Sequence, residues 1–134
     1  MFEARVYTTA ILSLSGMMDE TYAAQEAVRR FNEADAERTG RLFLLVDDPQ
    51  AADVLVGVVG NHLEGTQRVT EALEAGRRVL LLFSSFADPR NTIASEQRAV
   101  DAFRRSAGPR CHCATFRTVG ELGTLVEQQL SQIQ

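Results

Sequence analysis

Residues 53–60 read DVLVGVVG. The run is apolar and lacks the every-second-residue alternation of a half-exposed strand, the pattern of a strand covered on both faces. A polar stretch, NHLEGT (61–66), follows. From Thr66 the period becomes helical, with Val69, Ala72 and Leu73 on one side, and Gly76 stands where a helix-ending glycine belongs. RVLLLFSSF (78–86) is then another unalternated strand. Buried strand, helix and buried strand in succession argue a parallel sheet with helices on its faces.

The flanking sequence extends the pattern. ARVYTTAIL (4–12) is β-rich and predicts a first strand, broken by SLSGMMD. Asp19 is placed to N-cap a helix over 20–37, in which Ala24, Ala27, Val28 and Phe31 share one face. RTGR is read as a turn, LFLLV (42–46) as a strand, and DDPQAA (47–52) as a turn or one helical turn. A helix over 92–108 ends at Gly108-Pro109, RCHCATF (110–116) predicts a fifth strand, and a last helix turns Leu122, Leu125, Val126, Leu130 and Ile133 inward. The expected fold is α/β: one domain over 1–134, a three-layer flavodoxin-like sandwich on a five-stranded parallel sheet of order 2-1-3-4-5.

Composition narrows the function classes. The net charge of −4 supplies no global field toward nucleic acid or an anionic membrane, so neither is an expected partner. All 14 basic residues are arginine, which excludes a P-loop lysine, a Schiff-base lysine and a lysine general base. The longest apolar run, VLLLF, is far too short to span a bilayer, and a cytoplasmic location is expected. In CHC (111–113), alternation sends Cys111 and Cys113 to one face and His112 to the other. That argues structural cysteines, with no disulfide framework and no tetrahedral metal site. Neither a G-x-G-x-x-G fingerprint nor a G-x-S-x-G elbow occurs. Asp47-Asp48 before Pro49 reads as a turn.

In an open parallel sheet, ligands bind beyond the carboxyl ends of the strands, where strand order reverses. Here that point lies between strands 1 and 3. It collects Thr8, Thr9, Ser13, Ser15 and Gly16 from residues 8–19, and Asn61, His62, Glu64, Gly65 and Thr66 from residues 60–66. Glu64 and Thr66 are also ordinary helix-start residues. Arg68 is the odd member, because a cation in a first helical turn meets the positive end of the dipole. It either pairs with Glu64 or Glu71, or reaches an anion such as a phosphate at the pocket mouth.

RVYTTAIL…DETYAAQEAVRRF, ADVLVGVVGNHLEGTQRVTEALEAGRRVLLLF and FRTVGELGTLVEQQL together resemble the TIR-like, nucleoside deoxyribosyltransferase-like superfamily, closest to a prokaryotic branch known as a domain of unknown function. Active members of that superfamily cleave the N-glycosidic bond of NAD or of a nucleoside. The resemblance implies a glutamate on the helix after strand 3 that stabilises an oxocarbenium-like centre. Eight residues before Gly76 this chain has Arg68, which cannot do so, and Arg78 replaces the usual proline. Glu71 and Glu64 are the carboxylates left to serve as catalytic residues. Thr8 and Thr9 match the serines of the family's first loop, whereas Asp19 and Glu20 match it loosely.

The reading expected from this resemblance is a catalytically degenerate TIR-like module. It recognises a nucleotide or a protein partner and serves as a signalling or effector-associated domain, as in prokaryotic conflict systems. Its ligand set is Thr8, Thr9, Ser13, Ser15, Asn61, His62, Thr66 and Arg68. No bound cofactor or metal is expected, with NAD or a nucleotide as ligand. The alternatives are an N-ribosyl hydrolase or transferase using Glu71 or Glu64, and a self-association scaffold that forms homo-oligomers or binds a partner effector domain.

Overall fold

The computed structural model describes residues 4–14, 18–60, 63–85 and 94–133. In chain order the elements are β1 (Arg5–Ser13), α1 (Met18–Thr39), β2 (Arg41–Leu45), β3 (Val54–Val59), α2 (Thr66–Glu74), β4 (Arg78–Ser84), α3 (Ala94–Ala107), β5 (His112–Phe116) and α4 (Val119–Gln132). All strand pairs are parallel, in the spatial order β2-β1-β3-β4-β5. The fold is the expected three-layer, flavodoxin-like α/β sandwich.

All six residues of β3 are buried, which accounts for its lack of alternation. On one face, Ala27, Val28 and Phe31 of α1 and Leu122, Val126 and Leu130 of α4 pack on Phe43, Val56, Val58 and Leu82. On the other face, Val69 and Ala72 of α2 and Val100 of α3 cover Leu55, Val59, Leu81 and Phe83. Thr118 N-caps α4 by accepting from the Glu121 N–H at 3.1 Å.

Several boundaries differ from expectation. Asp19 lies in the first turn of α1 instead of capping it, and the helix runs on through Arg38 and Thr39. There the Thr39 hydroxyl donates to the Asp35 carbonyl at 2.7 Å, and Gly40 ends the helix at φ 70°. Gly108-Pro109-Arg110 forms a 3-10 turn, so β5 starts at His112. β1 reaches Ser13, because its second half is paired along β3.

The β2–β3 connection is the least ordinary part of the fold. β2 pairs with β1 from Arg5 to Thr9, and β3 pairs with β1 from Thr9 to Ser13. The two strands are thus staggered along β1, and residues 46–53 link them through one 3-10 turn at Pro49–Ala51 where a crossover helix would normally stand. Thr8 pins this link. Its N–H donates to Asp53 Oδ2 at 3.1 Å, its hydroxyl donates to the Ala51 carbonyl at 3.0 Å, and the Asp53 N–H donates to the Thr8 carbonyl at 2.8 Å. The short link leaves the sheet partly bare beside it, with Val6 51% and Leu44 53% exposed.

β2 is an edge strand, and its edge is blunted. The Phe43 N–H donates to Asn32 Oδ1 at 2.9 Å, and Asn32 Nδ2 donates to the Phe43 carbonyl at 2.8 Å. One amide from α1 therefore occupies the groups that a further strand would use. Asn32→Ala is expected to cost about 1–2 kcal/mol in urea unfolding and to raise light scattering with concentration. Unchanged stability would show that these bonds contribute nothing net.

Candidate functional site

At the carboxyl end of the sheet, α1 follows β1 to one face and α2 follows β3 to the other, so the strand ends diverge at the reversal of strand order. Just past the strands the two loops are laced together. The Leu14 N–H donates to the Val58 carbonyl at 2.9 Å, and the Glu64 N–H donates to the Leu14 carbonyl at 2.7 Å. Leu14 is fully buried and lies over Gly57, where a Cβ would stand 3.4 Å from Leu14 Cδ1 and 2.8 Å from Leu81 Cδ2. Leu14 thus floors the crevice, and Gly57 makes room for it.

Ser13, Glu64, Gly65 and Thr66 stand around this junction. Ser13 pairs in register with Val58 at the end of β1. Gly65, at φ 70° and ψ 25°, is the N-cap of α2 and makes no side-chain cap bond. No acidic residue lies in the first turn of α2, and a glycine, not Glu64 or Thr66, occupies the N-cap position. The N–H groups of this first turn carry the positive end of the helix dipole. Ser15, Asn61 and His62 lie outside the described residues.

The structure takes four of the anticipated residues elsewhere. Thr8 and Thr9 stand in the interior of β1, with Thr8 committed to Asp53 and Ala51 and Thr9 fully buried. The paired strand carries them below the crevice, because β1 runs four residues beyond Thr9. Arg68 and Glu71 sit on the side of α2 that meets the β2–β3 link. Arg68 lines an opening of about 400 Å³ with Asp47, Asp48 and Gln50. It also lines one of about 320 Å³ with Gln50, Glu71 and Arg77. Gln50 Nε2 donates to Glu71 Oε2 at 3.4 Å, a long bond at an exposed position. The two aspartates read as a turn do form one, since Asp48 Oδ1 accepts from the Gln50 N–H at 2.9 Å. They also face Arg68 across the opening, a juxtaposition that no local spacing announces.

The two cysteines share a face, packed beside the α2–α3 core cluster, and His112 is exposed. The sulfurs are 3.7 Å apart, and Cys111 Sγ donates to the Ala107 carbonyl at 3.2 Å. Burial, and then the neighbouring Cys113, push the Cys111 thiol up to about 12 from 9.0. The folded state thus holds this proton more tightly than the unfolded chain does. The associated stability is intact below pH 9.0 and is lost as pH rises toward about 12. Iodoacetamide is expected to label Cys111 slowly in the native protein at pH 8 and readily in urea. Equal rates in both would contradict this. Among the described residues, no cluster of three or more His, Cys, Asp or Glu is arranged to hold a metal ion. No helix among them is long and apolar enough to cross a membrane.

No protein-family model and no curated protein matches the chain. Similarity appears among solved structures. A de novo designed Rossmann 2x3 fold protein superposes with a TM-score of 0.51 at 15% identity, covering 98% of this chain and 91% of that one. Staphylococcus aureus homoserine dehydrogenase superposes with a TM-score of 0.50 at 10% identity over 83% of this chain. The chain spans about a third of that enzyme, 33% of its length. At these identities the likeness establishes a Rossmann-like, doubly wound α/β fold.

Proposed function

We propose that this domain recognises a nucleotide-type anion at the β1–β3 crevice without cleaving it, as a TIR-like signalling or effector-associated module. The observation that carries the reading is the separation of two features on α2. The first turn of α2, with glycine as its N-cap, opens beside the Leu14–Glu64 junction, where a phosphate would accept from backbone N–H groups. Glu71, the carboxylate on which glycosidic cleavage would depend, lies about one turn further along and lines the groove beside Pro49 and Gln50. Arg68, Ala72, Ala75 and Arg77 complete the lining of that groove. A carboxylate there is poorly placed to face an anomeric carbon bound at the crevice.

Thermal-shift and calorimetric titration with NAD, ADP-ribose and deoxynucleoside monophosphates, followed by chromatography, tests this. Binding that weakens with salt and releases no nicotinamide or free base is the expected result. Released product that disappears in Glu71→Gln would establish the hydrolase or transferase instead. Concentration-dependent assembly with no nucleotide binding would establish the scaffold.

A further inference from the structure

The opposite end of the sheet carries a second recess, built by stagger. β5 pairs with β4 only from Leu80 onward, so Arg78 and Val79 at the start of β4 extend past the beginning of β5. The Gly108–Arg110 turn and the last turn of α4 wall off the space this leaves, about 430 Å³. That volume suits a small organic ligand. Val56, Leu80, Leu130 and Ile133 give it an apolar floor.

The charge around that floor is one-sided. Arg77, Arg78, Arg110 and His112 line the recess, and among the described residues no Asp or Glu does, in a chain of net charge −4. The four come from two segments far apart in sequence, which the β4–β5 register brings together. Arg77 turns its guanidinium toward the α2 face, where Nη1 donates to the Pro49 carbonyl at 3.2 Å. Arg110 is exposed at the rim. Guanidinium groups above an apolar floor match a ligand that carries one anionic head and a compact apolar body.

We infer that this recess binds a small organic carboxylate, with its head at Arg78 and Arg110 and its apolar body, a short alkyl chain or a single ring, on Leu80, Leu130 and Ile133. The site is separate from the β1–β3 crevice and does not depend on the function proposed there.

Octanoate is the probe, with octanol as the same body without charge and acetate as the head without a body. Amide shifts of the full chain are read by two-dimensional NMR. Octanoate should give saturable shifts within residues 77–80, 109–112 and 129–133. Octanol and acetate should each bind about tenfold more weakly or worse. Arg110→Glu should weaken octanoate by about tenfold and leave octanol unchanged, and Arg110→Gln should give a smaller loss in the same direction. Octanol binding as well as octanoate, shifts centred elsewhere, or octanoate affinity unchanged in both variants would each overturn the assignment.

Discussion

Phe43→Ala is expected to lower the unfolding free energy by about 3–5 kcal/mol, the range for truncating a buried phenylalanine. Phe43 is fully buried, whereas the other four residues of β2 are partly or largely exposed. Its ring stacks on Tyr7, with centroids 5.3 Å apart and planes at 17°, and meets Phe31 edge-on at 5.3 Å and 72°. The edge strand β2, its neighbour β1 and α1 are therefore joined through a single side chain. Urea unfolding at constant slope reads the loss. A change below about 1 kcal/mol would mean that the site collapses around the missing ring, and the anchoring role would be wrong.

Gly57→Val is the second large effect, expected at about 2–3 kcal/mol from overpacking. Even a single Cβ at Gly57 would come within 2.8 Å of Leu81 Cδ2. A valine would also press on Leu14, whose backbone joins Val58 to Glu64. The predicted consequence is twofold: lower stability, and weaker ligand binding at the crevice because its floor moves. In the Gly57→Val, Leu81→Ala double variant the losses should fall short of their sum, since the second change removes the clashing atoms. Strict additivity would show that the close approach seen at Gly57 is not what limits the site.

How much of this was legible in the sequence follows from how locally each feature is encoded. DVLVGVVG announces a strand buried on both faces, and all six positions of β3 are buried. The helical spacing of Leu122, Val126 and Leu130 places them in the core, as found. Strand order and reversal point follow from that pattern of elements, and so does the position of the candidate crevice. The stagger of β2 and β3 on β1 does not, because it depends on pairing between distant segments. Thr8 consequently reads as a crevice residue yet pins the 46–53 link, and Arg68 faces Asp47 and Asp48 across a gap opened by the missing crossover helix. Asn32 looks like an ordinary helical asparagine until the edge of β2 lies beside it. The basic recess is likewise silent in sequence, since its arginines converge only through the β4–β5 register.

The most direct test of the central claim is amide mapping of the full chain during titration with ADP-ribose, run beside an NAD turnover assay. Recognition without cleavage predicts saturable shifts centred on residues 13–14 and 63–68, with NAD recovered intact. Shifts confined to other parts of the chain, or nicotinamide released by the native protein and not by Glu71→Gln, would contradict it.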